Sequence, residues 1–201
     1  ASVAVGFLMP FYLIQALSYS SARAGLLLIT IPLMMFVISP GSGWLSDRIG
    51  SRLLTSLGLG LQCIGLLLLS RLSVDSTAID IVLRLAVAGL GAGLFLTPNY
   101  STIMGSAPRE RIGTASAMIP TMRSIGMACG IAIAGAAFAN RQAFHIARLT
   151  QQQFGPASIQ VNALVGGFQD ALLVAVAISI VANVISSLRS RHELTDSGSD
   201  Q

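Results

Sequence analysis

The sequence predicts an all-α integral membrane protein of six transmembrane helices with little chain outside the bilayer. Three observations carry this. The 201 residues are 53% hydrophobic and 10% charged, whereas a soluble domain typically carries about 25% charged residues. The mean hydropathy is +0.75. Apolar runs of bilayer-spanning length alternate with short polar turns in which the charges collect.

Six spans follow, at about residues 1–17, 22–45, 53–70, 79–104, 113–139 and 168–188. The first run ends near Leu17 and gives roughly 25 Å of helix, short of a ~30 Å hydrocarbon core. The chain is therefore expected to open partway through a helix and to be a fragment of a longer protein. Tyr19-Ser20-Ser21 offers a serine N-cap to the second helix. The second and third runs are separated only by the compact charged turn Gly43–Arg52, so two spanning helices meet there almost back to back. Ser73–Ser76 is a short polar turn, and Pro108-Arg109-Glu110-Arg111 is a second charged one. Asn140–Gly167 reads as the longest connection, with an amphipathic stretch at 140–154 expected to lie along the membrane surface and His145 expected to be solvated there. Residues 1–188 form the membrane domain, and 189–201 read as a polar, disordered cytoplasmic tail.

All twelve basic residues are arginine. Arg48, Arg52, Arg109, Arg111, Arg189 and Arg191 fall on one face, against Arg23, Arg71, Arg141 and Arg148 on the other. This excess puts the Gly43–Arg52 turn and both termini on the cytoplasmic side of a multi-pass cell-membrane protein. The net charge of +4 then records orientation, and no aromatic-interleaved basic patch points to nucleic acid as a partner. Cys63 and Cys129 sit inside apolar runs without metal-ligand spacing and read as small apolar residues.

No motif of an enzyme appears: there is no HExxH, GxSxG, phosphate loop or paired carboxylates within a span. The acidic residues fall at interfaces, loops or the tail, so a proton-carrying carboxylate buried in this chain is not expected. The main intramembrane charge is Arg123, ten residues past Gly113 and so about 15 Å into the bilayer. An arginine there costs at least ~2.5 kcal/mol, and its face, shared with Gly126, Gly130 and Ala134, must look into a bundle or a wet cavity. Arg123 reads either as an anion or carboxylate contact or as a structural arginine bonded to backbone carbonyls. Gly126, Gly130 and Ala134 form a small-xxx-small packing series, and Gly58, Gly60, Gly65, Gly89, Gly91 and Gly93 mark further close approaches in the third and fourth spans. Arg84, four residues after Asp80, suits a local helical ion pair. Phe95 and Asn99 continue a face of the fourth span that suits a cavity wall, with Pro98 kinking the helix beside it. Tyr12 and Gln15 fit a permissive binding surface and an ordinary core equally well.

These residues resemble a known family. Gly43-Trp44-Leu45-Ser46-Asp47-Arg48-Ile49-Gly50-Ser51-Arg52 resembles the G-x-L-a-D-r-x-G-r-k signature of the major facilitator superfamily, with Gly43, Asp47, Arg48, Gly50 and Arg52 matching. Tyr19–Gly25, Gly89–Gly93 with Pro98, and Thr121-Met122-Arg123 with Gly126, Gly130 and Ala132 resemble helices in the C-terminal half of fourteen-helix drug:proton antiporters. The family's proton-carrying acidic residue and its G-x-x-x-G-P-x-x-G-G helix have no counterpart here. The resemblance implies one half of the fold, two inverted three-helix repeats, with the other half as its partner. It implies proton-driven efflux of amphipathic drug-like small molecules by alternating access in a bacterial-type inner membrane, with no cofactor beyond the proton gradient. It also implies that Asp47 meets a helix N-terminus, and that Arg48 and Arg52 add ion pairs as a cytoplasmic gate. A superfamily member moving a polar metabolite, sugar or siderophore, and a non-transporting membrane remnant or scaffold, are the alternatives.

Overall fold

The computed structural model describes residues 2–105, 112–151 and 156–196; of Asp47, Arg52, Ile112, Ala115, Pro156, Ala157 and residues 185–196 only the backbone is described. Among these residues the fold is wholly helical. Helix α1 (Ser2–Phe11) runs into a π-helical segment, Tyr12–Ala16, which ends at Ser18 with a left-handed φ of 53°. Helices α2 (Ser21–Leu28) and α3 (Thr30–Ile49) are separated by one residue. The Ser20 side chain accepts the Arg23 backbone N–H at 3.3 Å, the N-cap expected from the sequence. Then follow α4 (Ser51–Leu69), α5 (Ala78–Gly105), α6 (Ile112–Gln151) and α7 (Pro156–Asp196).

Among the described residues, four stretches are long and apolar enough to cross a bilayer: Ser21–Ser46, Ala78–Gly105, Ser116–Gln151 and Ser158–Val184. Two shorter apolar helices, Ser2–Ala16 and Leu53–Leu69, match the first and third expected spans. The connection expected over Asn140–Gly167 is largely absent: α6 continues to Gln151 and α7 starts at Pro156, so the chain forms a helical hairpin. The amphipathic stretch is the end of α6 itself, where Arg141 and His145 reach Asp170 of α7. The backbone of the expected tail is helical to Asp196. The second charged turn at Pro108–Arg111 and residues 197–201 lie outside the described residues.

Lipid gives helices no hydrophobic reason to associate, so close backbone contact must supply the attraction. The seam between α4 and α5 does this through glycine. A Cβ on Gly58 would lie 2.6 Å from the Phe95 backbone nitrogen, and one on Gly65 would lie 2.6 Å from Ala88 backbone. Gly91 meets the backbone of Gln62, while Gly89 and Gly93 let α3 approach α5 at Ile31, Met35 and Ile38. Gly60, expected in the same role, faces open space. Pro98 is buried within an unbroken α5, and the Thr102 hydroxyl donates to the Pro98 carbonyl at 2.8 Å.

The core lies where α1, the π-helical segment, α4, α5 and α7 converge, around Leu8, Tyr12, Leu66, Ile81, Leu85, Phe168 and Leu172. Gln62 is buried there and hydrogen-bonds Ser2. Among the described residues no buried side-chain polar atom lacks a hydrogen-bond partner.

Replacing Gly65 by valine forces α4 off Ala88. It should lower the midpoint of thermal unfolding in detergent by the equivalent of about 1–3 kcal/mol, the usual cost of overpacking. Gly60→Ala, in open space, should leave the midpoint unchanged or slightly raised.

Candidate functional site

The charged turn is tighter than its sequence implied. Helix α3 continues to Ile49, and a single residue, Gly50 (φ 88°, ψ 140°), turns the chain into α4. That conformation is open to glycine and strained for any residue with a Cβ. The Arg48 guanidinium stacks 4.1 Å from the Trp44 ring centroid, one turn back on α3. A Cβ on Gly43 would meet Thr97 Cγ2 at an ordinary 3.9 Å, and Ser39 and Thr97 hydroxyls pair at 3.2 Å nearby, tying α3 to α5. The side chains of Asp47 and Arg52 lie outside those described.

The residues expected to line a cavity do not gather in one place. Tyr12 is fully buried, stacked on Phe168 with centroids 4.7 Å apart, and its hydroxyl donates to the Ser73 carbonyl at 2.6 Å. The core reading left open by the sequence is therefore the one the fold realises, because the π-helical segment turns this ring inward. Gln15, three residues on, is exposed. Phe95 and Asn99 are half-buried on α5. Arg123 is exposed on α6 and reaches back to α5, where its Nη1 donates to the Tyr100 hydroxyl at 3.2 Å. Arg123, Tyr100 and Asn99 thus mark one polar edge between α5 and α6, while Tyr12 lies in the core.

The small-residue series on α6 behaves differently from a packing seam. Nothing approaches the Cβ positions of Gly126 and Gly130; only Ala134 is buried. Both glycines, with Cys129 and Ile133, instead face a cavity of about 220 Å³ against Ala4 and the α7 residues Ala171, Val174 and Ala175. Cys63 is buried and Cys129 exposed, both as free thiols.

At the opposite end of α6 the structure brings together groups that sequence reasoning kept apart. His145 Nε2 lies 3.0 Å from Asp170 Oδ2, and Arg141 Nε lies 3.8 Å from the same oxygen. His145 is half-buried rather than solvated. Arg84 does not close an ion pair with Asp80: its Nη1 donates to the Leu68 carbonyl at 2.7 Å. Asp80 instead caps its own helix, accepting from the Thr77 hydroxyl at 2.8 Å and the Thr77 backbone N–H at 3.3 Å. The available signal was the twenty-five-residue separation of His145 and Asp170, which becomes a contact only if the intervening chain is a tight helical hairpin.

Residues 1–185 match the family model described as Major Facilitator Superfamily. The chain is 35% identical over 181 residues to "Uncharacterized transporter YebQ" of Escherichia coli (strain K12), covering 90% of this chain and 35% of that protein. It is 34% identical over 137 residues to "Riboflavin transporter RibZ" of Clostridioides difficile (strain 630), covering 68% and 30%. It is 34% identical over 121 residues to "Multidrug resistance protein Stp" of Mycobacterium tuberculosis (strain ATCC 25618 / H37Rv), covering 60% and 22%. The chain thus spans about a third or less of the length of these curated relatives.

The Tyr12–Ser73 bond makes its own prediction. Tyr12→Phe keeps the stack on Phe168 and removes the hydroxyl's bond to a carbonyl that still accepts the Ser76 backbone N–H at 3.2 Å, so unfolding in detergent should show a loss of about 0.5–1.5 kcal/mol, with membrane insertion unchanged.

Proposed function

The chain belongs to the Major Facilitator Superfamily, and from that premise we propose that it is the C-terminal half of a proton-coupled exporter of amphipathic, drug-like compounds. In this reading all six apolar helices span a cell membrane of inner-membrane type, with both ends cytoplasmic. A second half, borne by the remainder of a longer protein, rocks against them in alternating access. No cofactor is needed beyond the proton gradient.

The observation that carries the reading is the exposed polar edge of α6. Arg123 lies eleven residues into α6, about 16 Å from its start, on an apolar helix otherwise fit for the hydrocarbon core. An arginine at that depth facing lipid is costly, and the Tyr100 hydroxyl satisfies only one of its five donors. The edge is therefore assigned to a wet cavity shared with the second half. Asn99 and Phe95 on α5 and Gln15 beyond α1 contribute further polar and aromatic contacts. The name of the Mycobacterium relative, a multidrug resistance protein, supports amphipathic drug-like cargo. The riboflavin transporter among the relatives favours one second reading, a polar metabolite as cargo, which the same arginine would serve as an anion contact.

The turn at Gly43–Arg52 takes the role of gate. Gly50 fixes the reversal, Trp44 holds Arg48 against α3, and Asp47 is assigned to a helix N-terminus of the second half. In the full-length protein, Asp47→Asn should cut dye efflux at least tenfold with membrane abundance unchanged; wild-type efflux in that variant removes the gate. Arg123→Ala should abolish efflux of lipophilic cations at normal abundance. If accumulation of every lipophilic cation is unaffected by the wild-type protein while uptake of a polar metabolite is not, the second reading holds.

A further inference from the structure

Asp170 is fourteen residues past the start of α7, inside the apolar stretch Ser158–Val184, and is its single charged side chain. An ionisable group in such a helix needs a partner and marks a functional site. Its partner comes from the neighbouring helix: His145 Nε2 at 3.0 Å, with Arg141 Nε at 3.8 Å on the same carboxylate oxygen. The site is shaped for the imidazole. A Cβ on Gly166 would fall 2.9 Å from the His145 ring, so the ring fits against α7 only because that position is glycine. The next residue, Gly167, gives Gln142, one turn before His145 on α6, a similarly close approach. The histidine ring therefore lies directly against the α7 backbone at Gly166.

The pair also has access to water. A cavity of about 570 Å³ opens beside His145 and is lined by Ser73, Asp75, Ser158, Asn162 and Gln169. Its walls come from α6, α7 and the α4–α5 connection, where the Gln169 amide donates to the Leu72 carbonyl at 2.6 Å. A charged partner on one side and a wet cavity on the other are what a proton-binding group needs.

We propose that His145 and Asp170 form a proton-binding latch that fastens α6 to α7 at the hairpin end of the bundle. An ionised Asp170 only accepts hydrogen bonds, so the neutral imidazole donates through Nε2–H to Oδ2. Nδ1 takes one proton from water, leaving hydroxide to the cavity solvent, and returns it on release. No other bond forms or breaks. Protonation turns a neutral hydrogen bond into a charge-assisted ion pair, roughly twice as strong, and closes the hairpin. Histidine is suited to this because its charge changes between about pH 5 and 8. Of the charged groups on the elements packed against the pair, Arg141 lies 3.8 Å from Asp170 and Asp75 lines the cavity, while Arg148 lies further along α6, Arg71 on the α4–α5 connection, and Asp80 and Arg84 at the start of α5. Helix α1 and the π-helical segment carry none.

The latch deepens the proposed proton-coupled function by giving this half a proton site, and its test separates the two ideas. In the full-length protein, spin labels at the exposed Ala147 and Gln160 report the spacing of α6 and α7. The wild-type distance distribution should narrow and shorten as pH falls from about 8 to about 5. His145→Gln, which keeps a donor for Asp170 but takes no proton, should give one distribution at every pH. The same variant should retain efflux within about threefold while flattening its pH dependence. A wild-type spacing that ignores pH, or a His145→Gln protein that follows pH as the wild type does, overturns the latch. Should His145→Gln fail to reach the membrane, Asp170→Asn with the same labels decides by the same criterion. A pH-dependent hairpin in a protein whose transport ignores the proton gradient would keep the latch and overturn proton coupling instead.

Discussion

Backbone contact through glycine along the α4–α5 seam is the constraint on which the rest of this bundle depends. In water, apolar faces drive helices together; in hydrocarbon they do not, and dispersion between closely approaching backbones takes their place. Gly58, Gly65 and Gly91 bring α4 and α5 so close that a single methyl group would overlap main-chain atoms. Gly89 and Gly93 bring α3 onto the other side of α5. With those three helices fixed, the α4–α5 connection lies where Ser73 accepts the Tyr12 hydroxyl. That bond seats α1 and its π-helical segment against Phe168 of α7.

The remaining helix is held differently. Helix α6 touches α7 along the hairpin but leaves most of its length exposed. Its two open glycines face a cavity, and Arg123 reaches for the Tyr100 hydroxyl. A helix with polar and small groups on an uncovered face is built to meet something other than lipid. The bundle therefore combines a core where α1, α4, α5 and α7 converge with two flanking helices, α3 and α6, that each leave most of their length uncovered, α6 carrying the polar edge.

The two ends of the bundle also differ in chemistry. At the α3–α4 end, Gly50 makes the shortest possible reversal and Trp44 holds Arg48 by its ring. At the hairpin end, charges pair across helices and border a water-accessible cavity. Partial burial raises the cost of leaving Asp170 unpaired and strengthens its interaction with His145 and Arg141, since both effects scale inversely with the local dielectric.

Local chemistry was legible in the sequence. Hydropathy placed the apolar runs, Ser20 announced its cap, and the Gly43–Arg52 turn and its neighbours pointed to the family, because each depends on residues close together in the chain. The glycines were legible as a class but not one by one: Gly60 and Gly126 look like Gly58 and Gly65, and only the rotation of each helix in the bundle tells a seam from an open face. Tyr12 could not be told from a cavity residue until the π-helical segment set its direction. The continuation of α6 and α7 into a hairpin was hidden because the polar residues at 140–167 read as a loop when their partners are unseen. Sequence alone determined that the chain is helical, membrane-embedded and of this superfamily, since composition and local motifs are one-dimensional properties. Tertiary structure alone decided which polar groups meet, because His145 and Asp170 become neighbours only when two helices fold back on each other.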